Sequence, residues 1–131
     1  MLKRAEASST IEGLGDIANT VATSAVSRVC AATNLVATAM IRLLIASTEP
    51  EAYAASCRAL ASSPHLQGSL TGIDVHIIGG EEDYLATPQM VATWAEEVGG
   101  THEILSNVGH WGAIEAPIQV GKAIARFMAP L

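Results

Sequence analysis

Aromatic side chains are scarce in this sequence: two Trp, two Tyr and one Phe among 131 residues. That leaves little from which to build base-stacking platforms for nucleic acid. Positive charge is scarce as well. Seven Lys and Arg, scattered along the chain against thirteen Asp and Glu, give a formal net charge of −6 and a pI near 5.0. A sequence-independent grip on nucleic acid or anionic lipid needs a concentrated basic face, which this balance excludes. Long apolar runs are missing too. The longest, Leu35 to Ala46, is interrupted by Arg42 and falls far short of the roughly 20 residues of a membrane-spanning helix. The opening MLKRAEASST has basic residues with no apolar block behind them, so neither a secretory signal nor a stop-transfer pattern is read there, and the expected location is the cytoplasm. Cysteine is limited to Cys30 and Cys57. Both lie in alanine-rich surroundings without ligand spacing, which predicts buried, reduced thiols and no zinc site.

What is present describes a globular chain: 50% apolar and 15% charged residues predict one packed core. The character of the sequence changes near residue 65. Residues 5 to 62 are rich in Ala, Ser, Thr, Val and Leu without strand-like alternation, which predicts helix throughout, broken into several short pieces by Gly13, Gly15 and the β-branched density from Thr20 to Thr38. Thr48 is placed as a cap, with Pro50 in the first turn and Tyr53, Cys57, Leu60 and Ala61 at helical spacing. After Ser62, the residues Ser63, Pro64, Gly68 and Gly72 mark a connection. It leads into Ile73 to Ile78, a short apolar run of the kind a buried parallel strand shows. Thr87 and Pro88 then cap a helix whose Val91, Trp94, Ala95 and Val98 form one face ending at Gly99 and Gly100. Glu103 to Ser106 reads as a second strand. Pro117 opens a last helix, with Val120, Ala123, Ile124, Phe127 and Met128 on one face. The order strand, helix, strand, helix predicts an α/β fold with a parallel sheet.

In such sheets the reactive groups lie just past the carboxyl ends of the strands. Two special turns fall there. Asp83 follows the first strand through Gly79-Gly80-Glu81-Glu82, and His110 follows the second through Asn107-Val108-Gly109. An imidazole acting as a general base needs a carboxylate on its other nitrogen to fix the tautomer and stabilise the imidazolium, which gives the pair a chemical rationale. The plain alternative is a solvated acid and a turn histidine that happen to occupy these places. Glu81 and Glu82 read as a solvated charge run, and His65, His76 and His102 as isolated surface or core-edge residues without metal-ligand spacing. Trp94 reads as core, whereas Trp111 and Tyr84 are divided between lining a pocket and packing.

The stretches IIGGEEDYLATP and NVGHWGAIEAP, with the terminal IARFMAPL, resemble the C-terminal part of the α/β-hydrolase fold family, whose triad runs Ser, then Asp or Glu, then His. RAEASS and EPEAYAASCRALASS are similar to the cap of enol-lactone hydrolases and esterase-type members. The resemblance implies a helical cap or lid over residues 1–66, a C-terminal part of the hydrolase core over 67–131, and catalytic roles for Asp83 and His110. It implies hydrolysis of a small-molecule ester, thioester or lactone, with no cofactor and no metal. The family's G-x-S-x-G nucleophile elbow does not occur in the sequence. Gly68-Ser69-Leu70-Thr71-Gly72 puts its serine directly after the first glycine and precedes a strand rather than following one. The chain therefore reads as truncated and inactive alone, with self-association expected through a bare sheet edge. A non-catalytic remnant serving as an interaction module is the alternative.

Overall fold

A computed structural model describes residues 1–63, Leu70 and residues 72–129. His65, Ser69 and the boundary placed between residues 66 and 67 lie outside the described residues.

The first part is helical, as its composition predicts. Five helices follow one another: α1 (Leu2–Ala7), α2 (Ile11–Ser24), α3 (Arg28–Thr33), α4 (Leu35–Ala46) and α5 (Pro50–Ser62). Their starts are set by short polar side chains that accept from the orphan amides of the first turn. Thr10 caps α2, Ser27 caps α3 and Asn34 caps α4. For α5 the cap is Glu49, whose carboxylate accepts from the Ala52 N–H at 2.8 Å. Thr48, placed as the cap from sequence, instead turns its hydroxyl back to the Leu44 carbonyl at 3.1 Å, because the helix begins one residue later.

The β-branched and small residues that weaken each helix alone become the interlock between them. α2 and α4 pack on each other through Leu14, Ala18, Val21, Ala22, Ala37, Ile41 and Ile45, with Ala25, Val26 and Cys30 continuing the cluster. Burial of each larger side chain in it stabilises by about 1.5 to 3 kcal/mol. α1 and α5 form a smaller contact through Ala5, Ala54 and Cys57.

In the second part the pattern switches from helical periodicity to strand and helix alternation. β1 (His76–Gly80) pairs in parallel with β2 (Thr101–Leu105), from His76 opposite Thr101 to Gly80 opposite Leu105. Between them runs α6 (Pro88–Val98), capped by the Thr87 hydroxyl and closed by Gly99 in the left-handed region at φ 70°, as its sequence predicts. α7 (Gly112–Glu115) and α8 (Pro117–Met128) follow. Both strands are displaced from their sequence placement: the first starts at His76 rather than Ile73 and runs on through Gly79 and Gly80, and the second is Thr101–Leu105 rather than Glu103 to Ser106.

Strand alternation assigns the two faces. Gly79 and Ile104 lie toward α6, where a Cβ on Gly79 would come within 2.8 Å of Val91. His76, Ile78, Glu103 and Leu105 lie toward α8: His76 stacks on Phe127 with ring centroids 5.1 Å apart, Glu103 pairs with Arg126, and Leu105 packs with Val108 and Ala123. His76, which the sequence left at a surface or core edge, also bonds the Thr101 hydroxyl at 2.8 Å. Of the apolar face assigned to α8, Ala123 is buried, while Ile124, Phe127 and Met128 stay exposed. Among the described residues, the outer edge of β1 meets no further strand.

Candidate active site

The first turn leaves β1 at Gly80 and delivers Asp83. Its carboxylate is fixed by its own turn, because Oδ1 accepts from the backbone N–H groups of Leu85 at 2.8 Å and Ala86 at 2.9 Å. The second turn leaves β2 at Leu105, passes Asn107 in the left-handed region at φ 57°, and delivers His110. Asp83 Oδ2 lies 2.9 Å from His110 Nδ1. An ionised carboxylate only accepts, so Nδ1 carries the proton and Nε2 is the basic nitrogen. The Asp83 side chain is 6% exposed, against 41% for His110. The acid is thus enclosed while the imidazole presents one edge outward.

Gly80 allows the two turns to meet, and Gly109 allows the histidine turn to rest on the Val26–Ser27 connector. A Cβ at Gly80 would lie 2.3 Å from the Val108 carbonyl oxygen, and one at Gly109 would lie 2.6 Å from the Val26 carbonyl carbon. No other residue fits at such approaches. A cavity of about 210 Å³ opens beside the pair, lined by Gly79, Gly80, Gly112, Ala113 and Val120 as well as Asp83 and His110.

The acidic neighbours of Asp83 also hold backbone amides, although Glu81 is exposed to solvent as the sequence predicts. Glu81 Oε2 accepts from the Asn107 N–H at 3.0 Å, and Glu82 Oε2 accepts from the Arg28 N–H at 2.9 Å. The hydrogen bond from the Arg28 backbone holds the Glu82 carboxyl below the usual carboxylate range, with the Arg28 guanidinium acting the same way. Glu115 makes two further bonds of this type, to the N–H groups of Ser27 and Gly109, each at 2.9 Å. Sequence reasoning missed Glu115. The only signal for it is an acid just before the Ala116-Pro117 helix start, which carries no period.

Trp111 packs against the α2–α4 core, its Nε1 buried without a hydrogen-bond partner in the described structure, and it does not line the cavity. Trp94 is half-buried on α6 beside Val91 and Ala95, Tyr84 is exposed, and His102 is exposed. Cys30 and Cys57 are free and buried. Among the described residues no group of three or more potential metal ligands occurs, and no helix is long and apolar enough to cross a membrane.

No protein-family model and no curated protein matches the sequence. Solved structures do. An enol-lactonase from Burkholderia xenovorans LB400 matches with a TM-score of 0.80 at 25% identity, and a thermophilic esterase from Thermogutta terrifontis matches with 0.84 at 23% identity. The chain has the fold of the C-terminal half of an α/β-hydrolase. Both matches cover 96% of it but only 48% and 47% of the larger proteins, so the chain spans about half the length of the structures it matches. Within that fold, β1 and β2 are the strands that end at the Asp83 and His110 turns.

Proposed function

We propose that this chain supplies the acid and the base of a serine hydrolase acting on a small-molecule ester, thioester or lactone, the serine nucleophile coming from a segment outside the 131 residues. The observation that carries the reading is the 2.9 Å contact between His110 Nδ1 and an Asp83 carboxylate already fixed by its own turn. The bond class rests on the two matched structures, described as an enol-lactonase and an esterase.

In this mechanism His110 Nε2 takes the proton of the attacking serine hydroxyl as the acyl carbon is engaged. Asp83 keeps the proton on Nδ1 and stabilises the imidazolium that results. The same nitrogen then returns the proton to the leaving oxygen or sulfur, and a water molecule repeats the cycle on the acyl-enzyme. Residues 1–66 act as the lid that shapes the acyl pocket and residues 67–131 as part of the core. Neither step draws on a cofactor.

A fluorophosphonate serine probe tests the division of labour. The chain alone should neither label nor hydrolyse esters. Mixed with a polypeptide carrying the complementary half and its G-x-S-x-G turn, it should do both, and His110→Ala should abolish turnover. Hydrolysis indifferent to His110→Ala would remove the assignment, and labelling of the chain alone that Ser69→Ala abolishes would move the nucleophile into it.

Among the described residues the outer edge of β1 meets no further strand, which favours a second reading, in which the fold serves only as an interaction module. Binding of the complementary half without any recovered hydrolysis would support it.

A further inference from the structure

Asp83 and His110 are held in different ways. The carboxylate is fixed by its own turn, whereas the imidazole is partly exposed, and among the described residues Asp83 Oδ2 is the hydrogen-bond partner of its ring. The aim of His110 is therefore set by the backbone of the 108–110 turn. That backbone rests on the connector between α2 and α3: the His110 N–H donates to the Ala25 carbonyl at 2.8 Å, and Gly109 lies flat against Val26 and Ser27.

Glu115 bridges the two surfaces. One carboxylate oxygen accepts from the Gly109 N–H and the other from the Ser27 N–H, and bonds to an ionised acceptor are the stronger kind. Ser27 and Glu115 are 88 positions apart in sequence. α7, four residues long, turns the chain back so that its last residue reaches under the turn that carries the imidazole.

We propose that Glu115 is a positioning residue for His110: its carboxylate clamps the histidine turn to the α2–α3 connector, and the Nδ1–Asp83 bond forms only while that clamp is closed. The proposal rests on the reading of His110 as the general base, but its test requires no turnover. Failure of the hydrolase reading and failure of the clamp are thus separate results.

The test follows the His110 ring by nitrogen-detected NMR in the full chain. In the wild type the ring should be a single tautomer with an exchange-protected Nδ1 proton. Glu115→Gln keeps the size but turns an amide donor toward one of the two N–H groups. It should mix the tautomers and speed Nδ1 proton exchange at least about tenfold, the scale of one lost charge-assisted bond. Glu115→Ala should lose the protected proton, as Asp83→Asn should too. Thr10→Ala, which weakens the cap at the start of α2, the end of that helix far from the connector, reports what lowered stability does by itself. A wild-type ring in Glu115→Gln, or a change no larger than that of Thr10→Ala, overturns the proposal. If Glu115→Ala does not fold, Glu115→Gln decides.

Discussion

Each oxygen of Asp83 has a separate task, so exchange to asparagine should separate structure from chemistry. In Asp83→Asn the side-chain carbonyl oxygen can still accept from Leu85 and Ala86, but the new amide then faces His110 Nδ1 and forces the other tautomer. The folded state should survive Asp83→Asn, while any hydrolysis recovered with the complementary half should, under the proposed mechanism, fall on the order of 10⁴-fold, the size of the same exchange in serine proteases. Thermal melting beside initial rates checks both. Gly109→Ala should act in the opposite order. Its Cβ would strike the Val26 carbonyl carbon at 2.6 Å and the Ser27 nitrogen at 2.7 Å, and overpacking of this kind costs about 1 to 3 kcal/mol. A melting temperature unchanged by Gly109→Ala would mean that the two backbones have room to part. Asp83 and His110 are readable as residues because turns after apolar runs carry a pattern. Glu82 and Glu115 are not, since what makes them structural is an amide 54 or 88 positions away, and no spacing in the sequence records it.

Helices announce their limits through caps, and strands do so less well. Thr87, Pro88 and Gly99 mark both ends of α6 in the sequence and in the structure, and Thr87→Ala should cost about 1 kcal/mol in chemical denaturation. The sequence misplaces β1 because a glycine pair normally signals a turn. Here Gly79 and Gly80 are strand residues, kept small by Val91 on one face and by the Val108 carbonyl on the other. The short α7 has no apolar period at all and could not be read. Around α3, Cys30 supplies a pH test. Burial pushes its thiol up, and the charge of Glu115 adds to the effect. A raised folded-state value favours the protonated thiol, so the resulting stabilisation is whole below the ordinary thiol value, about 8.5, and is lost as pH rises through the higher folded value. Stability from this source should therefore decline only on the alkaline side. Cys30→Ala should flatten that part of a denaturation profile measured across alkaline pH.

At the scale of the whole molecule, the apolar surface is distributed unevenly. Val36, Met40, Leu43 and Leu44 stand exposed along α4, and β1 has an unpaired outer edge among the described residues. Open edges and apolar stripes promote association, so the isolated chain should sediment as oligomers whose size grows with concentration, and a monodisperse monomer would show that the helices shield the sheet sufficiently. The α/β class and the helical first part were legible from composition and period; how the two parts join was not, because the joint sets the Glu82 and Glu115 carboxylates on backbone amides far away in sequence and seats Trp111 and Ile114 on the α2–α4 core. That joint bears on the order in which the protein folds. α2 with α4, and β1 with α6 and β2, are assembled from neighbours in sequence, and even the Asp83–His110 pair closes only 27 positions. The bonds from Glu82 to Arg28 and from Glu115 to Ser27 close 54 and 88 positions, and closure entropy rises with loop length. The local units can therefore form first and the connector can dock afterwards; with the Glu115 clamp proposed above, the short-range Asp83–His110 contact is then locked only at this final step. In the reverse direction, a partial opening that frees the connector should dismantle the Asp83–His110 contact while both cores persist. Amide exchange at Ser27 and Gly109 faster than at Ile41 or Val91 would reveal that opening.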